Sequence, residues 1–277
     1  MTGQRSDAAG PAPSALPSAL AAVTSLARRL QGTRPVLFLD YDGTLTPIVA
    51  RPHLAVLSES VRGTLSELAD RWPVAIVSGR DRADVQRLVG IDRLIYAGSH
   101  GFDIRGPELS SERGAAFLAD LDSVEQTLRQ ALASIDGALL ERKRYSLAVH
   151  VRGLAAHVAD AVESGVDAAL SRRTRLRKGT GKMVFELLPR VDWNKGKAVL
   201  HILETLRTAG TGGLPIYVGD DRTDEDAFMA LAGRGVGILV AETPRETAAY
   251  YTLRDPDEVH RFLRRLLDAV APAPHPL

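Results

Sequence analysis

The chain has 277 residues, of which 45% are hydrophobic and 25% are charged. This mix is ordinary for a folded globular protein, and it excludes a chain that is disordered throughout or a collagen-like rod. Lys and Arg number 35 against 34 for Asp and Glu, so net charge gives no reason to expect a nucleic-acid or membrane-surface partner.

The chain contains no cysteine, which excludes a disulfide framework, a thiolate zinc site and a cysteine nucleophile. No apolar run approaches the roughly 20 residues that span a bilayer, and the opening segment lacks the apolar stretch of a signal peptide. We therefore expect a cytoplasmic monomer with no membrane partner. Because Pro and small residues recur at both ends, residues 1–30 are predicted to be a flexible tail and the start of the first helix, and residues 271–277 a second flexible tail.

Short apolar runs alternate with helical patterns in two parts of the chain, which is typical of parallel strands joined by crossover helices. The first part has predicted strands at 36–39, 74–77 and 94–98 and predicted helices at 58–72 and 81–89. The second part has predicted helices at 195–207, 224–231 and 256–267 and predicted strands at 216–219 and 236–240. We predict an α/β fold in which residues 31–105 and 190–270 form one Rossmann-like parallel sheet core.

The middle of the chain has a different pattern. A long amphipathic stretch at 113–135 precedes paired apolar runs at 138–143 and 146–152, and a helical pattern follows at 155–170. Two further runs flank Gly179, Thr180 and Gly181, which predicts a hairpin at these residues. Residues 106–189 are therefore predicted to be an α+β cap domain inserted into the core.

Two carboxylates, Asp40 and Asp42, follow the first predicted strand directly. A sheet interior could not hold two unpaired carboxylates, so both are expected in the loop at the carboxyl end of the strand. Open α/β sheets bind their ligands at this edge. A plain Asp-Gly turn without function is the alternative explanation.

Two other junctions carry polar groups. Ser78, Gly79 and Arg80 follow the second strand of the first part, and a hydroxyl with free N–H groups at a helix start can seat a phosphate. A serine that only caps the helix is the alternative. Lys195 begins a helix, where its charge opposes the helix dipole, so it needs another reason to be there. An ordinary surface lysine is the alternative.

Five acids lie between positions 220 and 226, after the strand at 216–219. Helix capping accounts for the later ones but poorly for Asp220. Taken together, the junctions predict one site in which carboxylates hold Mg²⁺ while Ser78 and Lys195 neutralise a phosphate. One carboxylate can attack phosphorus, and a second can protonate the leaving oxygen and then activate water.

These motifs resemble, in order, the four motifs of the haloacid dehalogenase superfamily of phosphatases: Asp40-Tyr-Asp42-Gly-Thr-Leu, Ser78, Lys195 and Gly219-Asp220-Asp221. The resemblance implies that Asp40 is the nucleophile and Asp42 the general acid and base. It also implies that Mg²⁺ binds the Asp40 side chain, the Asp42 carbonyl and Asp220. Asp221 and Asp224 would orient the waters on the metal.

The inserted segment and its flanks are similar to the trehalose-6-phosphate phosphatase family. The similar segments are 98–102, 141–152, 181–189 and 193–196, and the likeness covers about residues 34–265. It implies hydrolysis of trehalose 6-phosphate to trehalose and phosphate through an aspartyl-phosphate intermediate. Substrate contacts are expected from Gly79, Arg80, His100, Lys143, Lys182 and Glu186. A same-face ion pair is the alternative for Lys182 and Glu186.

Other functions fit the same motifs. The substrate could be sucrose phosphate, mannosyl-3-phosphoglycerate or a pseudo-disaccharide phosphate, and a phosphomutase also uses two such Asp residues. A non-catalytic sugar-phosphate-binding regulator is a further alternative. The proton donor Asp42 argues for an enzyme, because a protein that only binds has no need of it.

Overall fold

The structure is a computed structural model that describes residues 16–30, 33–49, 51–171, 173–181, 183–211 and 213–270. The strands in chain order are β1 (Pro35–Leu39), β2 (Val74–Val77), β3 (Ile95–Gly98), β4 (Asp103–Gly106), β5 (Leu109–Glu112), β6 (Leu139–Lys143), β7 (Ser146–His150), β8 (Leu176–Gly181), β9 (Val184–Pro189), β10 (Leu214–Gly219), β11 (Val236–Val240) and β12 (Tyr251–Leu253). The α-helices are α1 (Ala19–Arg29), α2 (Glu59–Arg71), α3 (Arg82–Val89), α4 (Leu118–Leu132), α5 (Ala156–Leu170), α6 (Lys195–Thr208), α7 (Glu225–Ala230) and α8 (Pro256–Ala269).

An eight-stranded sheet forms the core, in the order β12-β11-β10-β1-β2-β3-β4-β5. The pairings from β12 to β3 are parallel, and β4 and β5 are added antiparallel. Strand β1 is buried along its whole length because helices cover both faces of the sheet. Leu37 and Leu39 pack toward α1, α2, α3 and α8, whereas Val36 and Phe38 pack toward α6 and α7. The predicted α/β class and the parallel core are confirmed.

The smaller sheet has the order β6-β7-β9-β8 and is antiparallel throughout. Helices α4 and α5 cover one of its faces with a separate apolar cluster that includes Leu121, Val162 and Leu187. This four-stranded unit with two helices is the inserted α+β cap. Its opposite face is left for the cleft toward the core.

The structure differs from the predicted boundaries in two places. Strands β4 and β5 extend the core sheet to Glu112, so the predicted start of the cap at residue 106 falls inside the core sheet. The predicted hairpin residues Gly179 to Gly181 lie within β8, which pairs Gly181 with Val184, so the chain reverses after Gly181. The predicted hairpin is present, and its turn comes later than predicted because pairing of β8 with β9 outweighs the local preference of glycine for turns.

The structure describes only part of the segments predicted to be tails. Helix α1 is complete within residues 16–30, with Ser18 as its cap and in a bridge with Thr252. Residues 1–15 and 271–277, where the other tail predictions fall, lie outside the described residues. In the described part of the chain, no helix has both the length and the apolar character that crossing a membrane requires.

Candidate active site

A cleft of about 620 Å³ separates the carboxyl edge of the parallel sheet from the open face of the cap. The site residues predicted from the sequence that line it are Asp40, Asp42, Ser78, Gly79, Arg80, His100, Lys143, Glu186, Lys195, Asp220 and Asp221. Asp224 lies beneath the cleft, in contact with Lys195. Lys182 lies outside the described residues. The loops after β1, β2, β3 and β10 and the start of α6 thus meet at one place.

Lys195 links two of these loops from the first turn of α6. Its Nζ lies 2.8 Å from Oδ1 of Asp40 and 2.8 Å from Oδ1 of Asp224. The Lys195 side chain is only 2% exposed. Burial alone would favour the neutral amine, but the Asp40 and Asp224 carboxylates raise the pKa of Lys195 above its usual range. Lys195 is therefore a fixed positive charge beside Asp40.

Asp224 has both carboxylate oxygens occupied by protein groups. Oδ1 accepts from Lys195 and, at 2.6 Å, from the Tyr217 hydroxyl. Oδ2 accepts from the backbone N–H groups of Asp220 at 2.9 Å and Asp221 at 3.0 Å. Burial raises the pKa of Asp224, and Lys195 opposes this shift. In this structure Asp224 therefore holds Lys195 and the loop after β10.

The carboxylates of Asp40 and Asp220 lie close together at the bottom of the cleft. Ligand oxygens of Asp40, Asp220 and Asp224 all lie within 4.8 Å of one another. Burial raises the pKa of Asp40 well above its usual range, and burial with the Asp224 and Asp221 charges raises that of Asp220 to about 7. A buried and a half-buried carboxylate this close together need a proton or a cation between them. This all-oxygen donor set fits Mg²⁺.

The loop after β1 owes its shape to Gly43. Its φ of +82° lies in the left-handed region, and a Cβ at this position would lie 2.2 Å from an Asp220 oxygen. Thr44 donates to Oδ1 of Asp220 at 3.3 Å. Gly43 is therefore required both for the turn and for the close approach of Asp220.

Asp42 is bound by Arg80 at both carboxylate oxygens. Arg80 Nε lies 2.6 Å from Oδ2, and Nη2 lies 2.6 Å from Oδ1. The guanidinium also donates to Asp84 at 3.1 Å, and the bond to Asp42 raises the pKa of Arg80. This bidentate pair connects the loop after β1 with the loop after β2.

The turn after β3 brings His100 against the loop after β2. Ser99 and His100 both have positive φ, at 50° and 56°. A Cβ on Gly79 would come within 2.8 Å of the His100 ring, so only glycine fits at position 79. Burial, followed by the charge of Lys195, lowers the pKa of His100 to about 3, and its buried Nδ1 has no hydrogen-bond partner among the described residues. The ring is therefore neutral at physiological pH.

Strand register determines which cap side chains face the cleft. Glu141 pairs with Ala148, which pairs with Glu186, which pairs with Gly179. Directly paired residues share a face of a sheet, and Lys143 joins that face two residues after Glu141. The open face of the cap thus carries charged groups beside the small residues Ala148 and Gly179.

Several residues of the site were not predicted from the sequence. Arg245 donates to the carbonyl of Asp220 at 2.8 Å, and Tyr217 binds Asp224. Glu141 and His150 line the cleft and lie 2.8 Å apart. Arg245 stands in a loop with no motif, and only its position after β11, at the same edge of the sheet, could have indicated it.

The fold and the cleft define a class of protein. A haloacid dehalogenase-like hydrolase from Bacteroides thetaiotaomicron has the same fold with a TM-score of 0.59 at 16% identity, covering 84% of this chain and 99% of that one. The chain thus has the fold of a haloacid dehalogenase-like hydrolase, a parallel sheet core with an inserted cap, and its acidic loops lie at the carboxyl edge of that sheet.

Sequence comparison gives the family within that class. The trehalose-phosphatase profile matches residues 38–257. Probable trehalose-phosphate phosphatase 4 of Oryza sativa subsp. japonica is 43% identical over 260 residues, which are 91% of this chain and 71% of that protein. The chain belongs to the trehalose-phosphatase family. The C-terminal domain of C. albicans trehalose-6-phosphate phosphatase shares the fold, with a TM-score of 0.74 at 22% identity over 92% of this chain and all (100%) of that domain. The resemblance drawn from the motifs is confirmed.

Proposed function

We propose that this protein is a magnesium-dependent phosphatase that hydrolyses trehalose 6-phosphate to trehalose and inorganic phosphate through an aspartyl-phosphate intermediate. The observation that carries the proposal is the position of Asp40, which is held by Lys195 and lies beside Asp220 at the bottom of a cleft under the charged face of the cap. Membership of the trehalose-phosphatase family supports the choice of substrate.

The first chemical step uses Asp40 and Asp42. An oxygen of Asp40 attacks phosphorus, and the bond from phosphorus to the 6-oxygen of the sugar breaks. Asp42 gives its proton to that leaving oxygen. Arg80 donates to both oxygens of Asp42 here, so one of these hydrogen bonds breaks in the reactive complex; the freed oxygen of Asp42 carries the proton and faces the leaving oxygen. Ser78 and Lys195 bind the phosphate oxygens.

The second step regenerates the enzyme. Asp42, now ionised, takes a proton from a water molecule, and the resulting hydroxide attacks phosphorus. The bond between phosphorus and Asp40 breaks, so inorganic phosphate leaves and the Asp40 carboxylate is restored. The ammonium of Lys195, 2.8 Å from Asp40, stabilises this carboxylate as it reforms.

The metal would be held by the Asp40 carboxylate, the backbone carbonyl of Asp42 and the Asp220 carboxylate. When bound, Mg²⁺ neutralises negative charge on the phosphoryl group and orients it. Asp221 accepts from Thr223 and from the N–H of Asp224. Burial favours the neutral form of Asp221, but the charge of Lys195 and these hydrogen bonds together lower its pKa. It would remain ionised next to the metal and orient its waters.

The sugar would lie against the open face of the cap. Glu186 and Lys143 offer an acceptor and a donor to hydroxyl groups, while Ala148 and Gly179, paired beside Glu186, leave room for a ring. The family resemblance adds Lys182 as a further donor to the sugar. Gly79, Arg80 and His100 would line the core side of the same space. A disaccharide phosphate carries hydroxyl groups on both rings, so polar groups on both walls of the cleft suit it.

The proposal also covers the partners, the location and the oligomeric state of the protein. A small sugar phosphate is its partner in the reaction, with neither nucleic acid nor membrane required. We expect it to act in the cytoplasm as a monomer, which sedimentation analysis of the purified chain would test.

The deciding experiment is a substrate panel with inorganic phosphate as the readout. Trehalose 6-phosphate, sucrose 6-phosphate, mannosyl-3-phosphoglycerate and a small aryl phosphate are compared with and without Mg²⁺. The proposal predicts the highest kcat/KM for trehalose 6-phosphate, only with Mg²⁺. A higher kcat/KM for another sugar phosphate would contradict the substrate assignment, and an isomerised sugar phosphate without free phosphate would contradict the reaction.

A further inference from the structure

Asp81 stands at the cap position of helix α3 but makes no side-chain capping bond to that helix. Its carboxylate instead accepts from the backbone N–H of Arg144 in the cap domain, at 3.1 Å to Oδ1 and 3.0 Å to Oδ2. Oδ1 also accepts from the Ser99 hydroxyl at 2.9 Å. An Asp at a helix start usually binds the first-turn N–H groups. Here the carboxylate joins the core to the cap.

We propose that Asp81 is a positioning residue for the sugar side of the reaction, acting as a latch that holds the β6–β7 turn of the cap over the catalytic loops. The inference rests on the proposed function for the identity of the substrate. Asp81 itself need not touch the sugar, because it acts through the turn that carries Lys143.

The turn is well placed for this role. Lys143 and Ser146 form the last pair of the β6–β7 hairpin, so Arg144 and Tyr145 are its two turn residues. Lys143 lines the cleft directly before the residue that Asp81 holds. Any shift of the Arg144 backbone therefore moves Lys143 relative to the phosphate site. The second partner of Asp81, Ser99, precedes His100, which lines the opposite wall.

A second attachment holds the same turn from the side of β5. Glu112 accepts from the Tyr145 hydroxyl at 2.5 Å and from Arg144 Nη2 at 2.7 Å. The Tyr145 ring is buried against Phe102, and a Cβ on Gly114 would come within 2.0 Å of it. Since Glu112 ends the last core strand before the cap, this attachment lies at the connection between the domains. Of the two attachments, the hydrogen bond between Asp81 and the Arg144 N–H is the one that lies next to the catalytic loops.

The decisive test removes the Arg144 N–H while keeping the turn. Arg144 does not have a positive φ, and Pro is favoured at the first central position of ordinary turns, so Arg144→Pro deletes the donor to Asp81 at a position where Pro is common. Arg144→Ala is the matched control, because it also removes the side chain but keeps the N–H. Both full-length variants are assayed with Mg²⁺ on trehalose 6-phosphate and on a small aryl phosphate.

We expect Arg144→Pro to lower kcat/KM for trehalose 6-phosphate by at least about tenfold relative to Arg144→Ala, mainly through KM, since a charge-assisted hydrogen bond is lost. Activity on the aryl phosphate should stay within about twofold of the control. Equal activity of the two variants on the sugar substrate would overturn the proposal. So would an equal loss on both substrates in protein that melts like the control.

A measurement independent of turnover uses hydrogen exchange. In Asp81→Ala, amide exchange in the peptide that contains residues 143–146 should quicken, while peptides from β1 and β10 exchange as in the wild type. Unchanged exchange in that peptide would overturn the latch. If wild-type protein cleaves aryl phosphate but not trehalose 6-phosphate, the proposed substrate is wrong, whereas the exchange result still decides the latch.

Discussion

Lys195 donates a 2.8 Å hydrogen bond to Asp40 at a point where the two side chains are only 2% and 7% exposed. This bond fixes the carboxylate that we propose as the nucleophile, and it joins the first and third motifs in space. The same lysine reaches Asp224, so one ammonium group ties the catalytic loop of β1 to that of β10.

Replacing the nucleophile tests the reaction most directly. Asp40→Asn keeps an acceptor for Lys195 but removes the attacking oxygen, so phosphate release should fall by at least about a thousandfold on sugar and aryl phosphates alike. The thermal midpoint should stay close to that of the wild type. Substantial turnover in this purified variant would rule out Asp40 as the nucleophile.

Asp224→Ala should lower the free energy of unfolding by about 3–5 kcal/mol, since it leaves part of a buried ion pair uncompensated. It also leaves the Tyr217 hydroxyl and two backbone N–H groups without their acceptor. Urea unfolding at neutral pH measures the change. Asp192→Ala is the control, because this acid is 89% exposed and its loss should cost less than about 0.5 kcal/mol. Similar values for the two variants would show that Asp224 does not hold the loop.

Metal binding should appear in stability as well as in activity. Chelation should abolish phosphate release, and Mg²⁺ added to metal-free protein should raise the thermal midpoint, because it binds only the folded carboxylates. Asp220→Asn should lose this response and, without metal, should melt no lower than the wild type, since one of two adjoining carboxylates is gone. An unchanged Mg²⁺ response in Asp220→Asn would place the metal elsewhere.

Glu186→Ala tests the sugar contact. The change removes an acceptor from the open face of the cap but leaves the core loops intact, so kcat/KM for trehalose 6-phosphate should fall by about tenfold or more. Hydrolysis of a small aryl phosphate should be largely preserved. An equal loss on both substrates would argue against a role in binding the sugar.

His100 should make stability depend on pH. Its pKa of about 3 in the folded protein lies below the usual value of 6.5, so the unfolded chain binds more protons between these values. Folding stability is therefore lost as pH falls below about 6.5, by up to about 2 kcal/mol at pH 5 from this residue. His100→Asn, which tolerates the positive φ, should lose less stability than the wild type between pH 7 and pH 5 in urea unfolding. Parallel losses would contradict a His100 ring that stays neutral in the folded protein.

Much of this fold could be predicted from the sequence because the core strands are continuous apolar runs and the helices carry their own caps. Ser58 and Asn194, for example, each accept a bond from the first turn of the helix that follows. The ends of β1, β2 and β10 also carry the polar groups of the site, so local sequence pointed to the catalytic edge.

The parts that could not be predicted depend on contacts between distant segments. Whether β4 and β5 join the core depends on pairing with β3, which short apolar runs do not specify. Arg245 and Asp81 form hydrogen bonds with backbone groups of distant loops. Every residue except proline offers the same backbone groups, so the sequence does not show which residue they bind. Asp224 stands at the N-cap position of α7, and its contact with Lys195 of α6 could not be predicted because the two residues are distant in sequence.

The alternation along the cap strands has an evolutionary consequence. On β6, Arg142 borders the cleft and also pairs with Asp122 of α4 at 2.8 Å, whereas its neighbours Glu141 and Lys143 lie on the open face of the cap. A residue that binds the cap helix thus alternates along one strand with residues that we propose to face the ligand. Selection can exchange the latter for a different sugar while the former continues to hold the domain together, so new specificities are accessible from this scaffold by few mutations.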